Sequence, residues 1–180
     1  MAVVRRAEEL GFSTVFLPDH FGDQLAPVPA LMAAADATTD LKVGALVFDN
    51  DYKHPVVLAK EVATLDVLSG GRFEFGVGAG WMNTDYQQSG IPQDPAGVRI
   101  SRMEEGVAVL RGLFADGPFS FAGDHYTITA MVGLPKPVQK TMIAKFQLML
   151  ETATEVHHLR DKRPAYVRDN PDWHMLNARN

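Results

Sequence analysis

Three times within the first eighty residues a helical pattern gives way to a short apolar run, and glycine or proline marks each change. Ala2 to Leu10 puts Val3, Ala7 and Leu10 on one helix face, with Arg5, Arg6, Glu8 and Glu9 mostly off it, and Gly11 is the natural stop. The apolar run Ser13–Leu17 follows, closed by Pro18, Asp19 and His20. A second helix, ALMAAADATT, leads into the run Leu41–Phe48. A third opens at Pro55, extends to Leu68 and ends at Gly70-Gly71, just before the run Arg72–Gly78. Parallel strands need a long crossover between them, whereas antiparallel neighbours need only a tight turn. Helices between successive strands therefore specify an α/β fold with a parallel sheet.

Beyond Trp81 the character changes. DYQQSGIPQDPAGVR reads as loop, and Ile100–Phe114 as a fourth helix with Met103, Val107, Leu110 and Phe114 on one face. FSFAGDHYTI reads as a β-hairpin turning at Ala122-Gly123-Asp124, and MVGLPKPVQ as a Pro-rich connection. From Thr141 to Arg160 the spacing is helical again, and the remainder is polar. On this reading residues 1–140 form one domain and residues 141–180 a helical and polar tail.

Composition narrows the functional classes. With 180 residues, 46% of them apolar, the chain suits a domain with a substantial core. A formal charge of −5 offers no footprint for nucleic acid or an anionic membrane. Cysteine is absent, which excludes disulfides and thiolate metal sites, and His157-His158 lacks a partner cluster, so no metal is expected. No stretch reaches the ~20 apolar residues of a membrane span, and the start lacks a signal-peptide core. A soluble, cytoplasmic protein is expected.

In parallel α/β folds ligands bind at the carboxyl ends of the strands. Here the first strand ends in Asp19-His20, the second in Asp49-Asn50 with His54 nearby, and the third in Gly78-Ala79-Gly80-Trp81. Glycine at the end of a buried strand costs stability, so Gly76, Gly78 and Gly80 read as room for a planar ligand or its phosphate against the backbone. Plainer readings stand beside these: Asp19-His20 as a strand-end cap, Asp49, Asn50 and Asp51 as turn formers, Trp81 as a core or loop anchor. Asp66 reads as the structural partner of Arg72, and Glu104 and Glu105 as a solvated helix face or partners of Arg102 or Arg111. The nucleotide motifs fail. The spacing is G-x-G-x-G, with Trp81 where a dinucleotide fingerprint has its third glycine, and no phosphate-loop motif occurs.

AEELGFSTVFLPDH, HPVVLAKEVATLDVLSGGRFEFGVGAGW, RMEEGVAVLRGLF, FAGDHY and PKPVQ, in that order, resemble the bacterial luciferase-like monooxygenase superfamily. The similarity is strongest to its deazaflavin-dependent (coenzyme F420) oxidoreductase branch and covers roughly residues 1–140. The resemblance implies a TIM (β/α)8 barrel that moves hydride between coenzyme F420, with FMN as the alternative cofactor, and a small organic substrate. It implies that His20 faces the cofactor ring and carries the proton, a task suited to imidazole because its pKa lies near neutral. Asp19 would orient or polarise it. Ala45, Leu46, Val47 and Phe48 would form a cofactor-binding strand end containing a non-proline cis peptide, and Gly78, Gly80 and Trp81 would line the same site. Some deazaflavin dehydrogenases carry a glutamate after the glycine run; Trp81 in its place argues against the sugar-phosphate dehydrogenase type.

A barrel of this type takes eight strands and ~250 residues, and the match here stops near Gln139. The expected architecture is thus a partial TIM barrel, front half only, with parallel strands and helices outside, truncated at both ends. Two functions follow. One is an F420- or flavin-dependent oxidoreductase; the other is a non-catalytic homologue lacking the phosphate-binding loops of the late strands. The strand edges left open beside Ser13–Leu17 and after Val77 predict a homo-oligomer or a self-associating chain.

Overall fold

The computed structural model describes residues 1–140. The helical spacing of 141–160 and the polar end lie outside the described residues. Helix α1 (Ala2–Glu9) precedes β1 (Thr14–Leu17), and α2 (Pro27–Asp36) precedes β2 (Lys42–Ala45) and β3 (Phe48–Asp49). Helix α3 (Pro55–Leu68) precedes β4 (Phe73–Glu74) and β5 (Val77–Gly78). Then come α4 (Asn83–Ser89), α5 (Ala96–Phe114) and the hairpin β6 (Phe119–Ala122) with β7 (Thr127–Met131).

Strands β1, β2 and β4 pair in that order, all parallel, with Leu17 opposite Ala45 and Val43 opposite Phe73. The second and third apolar runs each divide into two short strands. The β2 run breaks at Leu46–Val47, where the peptide is cis, and resumes as β3, which pairs parallel with β5, Asp49 opposite Gly78. The α/β architecture with parallel strands is therefore as read, and the helix boundaries show why the signals worked. Gly11, at φ +82°, ends α1, and Phe12 donates back to Ala7 O at 3.1 Å, closing a Schellman turn. His54 caps α3, its ring accepting from Val56 N, and Pro55 fills the first helical position, where no amide partner is needed.

The core lies between the strands and α2, α3 and α5. Phe48, Phe73 and Phe75 pack as a triangle of rings 6.0–6.4 Å apart. Leu31, Leu58, Val62, Leu65, Val109 and Leu113 close over the core, each at most 2% exposed. Full burial of such a side chain contributes about 1.5–3 kcal/mol. Helix α1 forms as read, but its apolar face is not buried: Val3 is 82% and Leu10 59% exposed.

Three polar side chains join the elements. Arg72 donates to Ser69 O just past α3, to Ala35 O and Thr38 Oγ1 at the end of α2, and to Leu41 O just before β2. It does not pair with Asp66 as the sequence suggested. Asp66, 0% exposed, accepts from the Gln139 backbone N–H and side-chain amide instead. Glu8 Oε1 accepts three successive backbone N–H groups, from Thr39, Asp40 and Leu41, at 2.7–2.9 Å. Glu105 is no idle surface carboxylate either: it accepts from Asp124, His125 and Tyr126 N–H and anchors the hairpin turn to α5.

The described part of the chain departs from the sequence reading in two more places. Helix α5 starts at Ala96, after Pro95, rather than at Ile100. The stretch read as loop contains α4, ended by Gly90 at φ +76°. Its sequence, NTDYQQS, has no apolar stripe, yet it buries Asp85 and Tyr86.

Candidate functional site

The strand ends bring the predicted residues together. Asp19 and His20 follow β1 directly, and Asp19 Oδ2 accepts from the Asp49 backbone N–H at 3.2 Å, tying the end of β1 to β3. The His20 ring meets the Trp81 ring edge-on, with centroids 5.8 Å apart. Trp81 is 69% exposed and Leu46, on the cis peptide, 57%, so the rim offers apolar surface to solvent on both sides of the strand ends. The cis peptide falls inside Ala45–Phe48, where the resemblance placed it. Ala45 and Phe48 flank it and are themselves buried in the core.

The glycines owe their presence to the protein's own packing. A Cβ on Gly78 would lie 2.6 Å from Val47 Cγ2, so the glycine seats the side chain of the cis peptide. Gly80 has φ +72°, and a Cβ there would run into the Tyr86 hydroxyl and lie 2.5 Å from Asp49 Oδ2. The close approach read as a ligand against the backbone is thus made by Val47, Tyr86 and Asp49. Arg99 holds the same turn, donating to Ala79 O and Gly80 O.

The carboxylate bonded to His20 is Asp85, not Asp19: His20 Nδ1 lies 2.7 Å from Asp85 Oδ2. Asp85 comes from α4, 65 residues along the chain, and is 5% exposed. Tyr52, in the loop after β3, donates to the same Oδ2 at 2.9 Å. Burial pushes the Asp85 carboxyl up, but the bonds from His20 and Tyr52, the His20 charge and the Phe21 N–H together outweigh it and hold Asp85 below its ordinary value. Burial and the bond to Asp85 push the Tyr52 phenol up, keeping it a donor.

A second carboxylate behaves oppositely. Burial raises the Asp49 carboxyl to about 6, and the neighbouring charges of Asp51 and Asp19 add to that, against the Asp51 N–H and Tyr86 hydroxyl it accepts. Burial likewise raises Asp19. Two carboxyls at one rim thus differ in proton affinity, a pattern common where protons are moved. Beyond Asp49, Tyr86 donates to Asp51 Oδ2 at 3.0 Å, and Arg102 donates to Asp51 and Asp94. A recess of about 340 Å³ opens there, lined by His54, Lys53, Pro92 and Tyr126 among others.

Sequence reasoning missed Asp85, Tyr52, Tyr86 and Arg99. One usable signal existed: Gly90 as a helix stop would have drawn NTDYQQS as a helix and turned its one aromatic, Tyr86, inward.

Parallel strands with helices outside, and polar and exposed apolar groups at the strands' carboxyl ends, define the class: an α/β fold of the kind in which ligands bind at that end of the sheet. The family model for luciferase-like monooxygenases matches residues 1–157, and the chain belongs to that family. It is 31% identical over 139 residues to an FMNH2-dependent dimethylsulfone monooxygenase of Pseudomonas putida, covering 77% of this chain and 37% of that protein. It is 29% identical over 142 residues to an F420-dependent glucose-6-phosphate dehydrogenase of Amycolatopsis mediterranei, covering 74% of this chain and 43% of that one. Among solved structures, the coenzyme F420-dependent tetrahydromethanopterin reductase of Methanopyrus kandleri superposes with a TM-score of 0.71 at 25% identity, covering 84% of this chain and 48% of that one. The chain thus spans less than half the length of these relatives, and they include both F420- and FMN-dependent enzymes. No helix among the described residues is long and apolar enough to cross a membrane.

Proposed function

We propose that this chain carries the catalytic rim of an oxidoreductase that moves hydride between coenzyme F420, or FMN, and a small organic substrate. The observation that carries the reading is His20. Its imidazole is held at the strand ends by a buried carboxylate, edge-on to exposed Trp81. The donor set fits a planar heteroaromatic ring: Trp81 and Leu46 offer exposed apolar surface, and the His20 imidazole against Trp81 is a group able to give and take a proton. The bound flavin or deazaflavin would supply the hydride-carrying ring. Leu46, Val47 and Trp81 would shape its seat, with Gly78 and Gly80 acting through the side chains they admit. His20 would hold or accept the proton that accompanies hydride movement on the substrate. Asp19, bonded to Asp49 N–H, would act on His20 through its charge.

Relatives of both cofactor types are in keeping with either ring. Titration with F420 and with FMN, followed by fluorescence quenching, tests the reading. Micromolar binding of one of them is expected, weakened when Trp81 is replaced by Ala. Absence of binding of both at high concentration would select the alternative, a non-catalytic homologue.

A further inference from the structure

We propose that Asp85 is a positioning residue that, with Tyr52 behind it, fixes His20 as the Nδ1–H tautomer and so leaves Nε2 as the atom that takes and returns the proton. This rests on the reading of His20 as the proton-transfer residue. The argument begins with one oxygen. Asp85 Oδ2 lies 2.7 Å from His20 Nδ1 and 2.9 Å from the Tyr52 hydroxyl. Two heteroatoms at those distances from one carboxylate oxygen must each supply a hydrogen, since an ionised carboxylate only accepts. The tyrosine has a single proton to give, and the oxygen it meets is the one His20 meets. Nδ1 is therefore the protonated ring nitrogen.

The site is built to keep the carboxylate ionised. Asp85 is 5% exposed, but the bonds to its carboxylate come from two side chains and the Phe21 N–H, which replace the water it gave up. Which ring nitrogen of a histidine is bare follows from the bond the other one makes. With Nδ1 committed to Asp85, the basic lone pair sits on Nε2. A proton taken there makes an imidazolium whose charge is shared with Asp85, and returning it restores the Nδ1–H form. No net change remains on the dyad. Among the described residues the side chains met by the ring are Asp85 from α4, bonded at Nδ1, and the uncharged Trp81 ring.

Removing the carboxylate would release the ring, because no acceptor would then favour a hydrogen on Nδ1. The experiment is nitrogen-15 NMR of the histidine ring nitrogens in the full chain without cofactor, at a pH where His20 is neutral, with His20→Gln used to assign its signals. In the unmodified protein Nδ1 should give the pyrrole-type signal and Nε2 the pyridine-type signal. In Asp85→Ala, which removes the acceptor, the pyrrole-type signal should move to Nε2 or be shared between the two nitrogens; in Tyr52→Phe, which keeps the carboxylate, it should stay on Nδ1. A pyrrole-type Nε2 in the unmodified protein would overturn the proposal, and so would an Asp85→Ala spectrum with an unchanged pattern. If Asp85→Ala does not fold, the spectrum of the unmodified protein decides alone. Because no cofactor is present, a failed tautomer assignment and a failed cofactor titration are separate results.

Discussion

Gly80→Ala separates the two reasons a strand end can need glycine. If Gly80 serves the approach of a ligand, alanine should harm binding but leave the ligand-free protein intact. If it serves the protein's own packing, the damage should appear with no ligand at all. The structure supports a magnitude. A left-handed conformation costs a non-glycine residue about 1–2 kcal/mol, and Gly80 sits at φ +72°. The new Cβ would also displace the Tyr86 hydroxyl, which bonds Asp51 at 3.0 Å and Asp49 at 3.5 Å. Losing a bond of this kind costs about 1 kcal/mol, so the total should be about 2–3 kcal/mol. The assay is urea unfolding without cofactor, run also in a Tyr86→Phe background. Removing the hydroxyl should relieve part of the clash, giving a coupling energy of about 1 kcal/mol between the two sites. Gly80→Ala unfolding within about 0.5 kcal/mol of the unmodified protein would refute the reasoning, given the usual scale of substitutions that touch nothing.

Asp49 predicts a pH effect of definite sign. Its carboxyl is raised from 3.8 to about 6 in the folded chain, so the native state binds the extra proton and stability falls as pH rises from about 4 through 6. Asp49→Asn should flatten that slope in thermal melts across the range, and an unchanged slope would assign it to other groups. If cofactor binds, His20→Ala should lower turnover by ~10²–10⁴-fold and also lower the melting temperature, because buried Asp85 loses one of its donors; turnover equal to the unmodified protein would remove His20 from the chemistry. Strand β1 pairs only with β2 among the described residues, and Phe12 and Phe16 are 63% and 45% exposed beside it, so the chain should self-associate at micromolar concentration. A monodisperse monomer in sedimentation would contradict this.

What could be read from the sequence was what local chemistry determines. Gly11, Pro55 and Gly70 mark helix ends by backbone conformation alone, and alternation of helices with apolar runs determined the parallel pairing. The strand ends followed from the strands, so Asp19-His20, Asp49-Asn50 and Gly78–Trp81 could be placed on one rim, while the cis peptide within Ala45–Phe48 came from the family resemblance. What stayed hidden depends on partners distant in sequence. Nothing local in NTDYQQS shows that Asp85 reaches His20, whereas Asp19, the acidic residue beside the histidine, was visible in the sequence, and its carboxylate accepts from Asp49 N–H. The same holds for Arg72. The sequence offered Asp66 at the end of the preceding helix, but the structure gives Arg72 four carbonyl and hydroxyl acceptors, from the ends of α2 and α3 and the segment before β2.

Glu8 and Glu105 join elements, but their chemistry has a further consequence. Each carboxylate gathers three consecutive backbone N–H groups, the arrangement with which proteins elsewhere cradle phosphate. Both cradles are filled by the chain's own anion, tethered by covalent bonds and present at a local concentration no dissolved phosphate can match. The bonds from Asp40 and Leu41 hold the Glu8 carboxyl below its ordinary value, and for Glu105 burial pushes upward but the bonds from His125, Asp124 and Tyr126 outweigh it. These N–H groups are thereby taken up by the chain itself and are not free to meet the phosphates of a ligand.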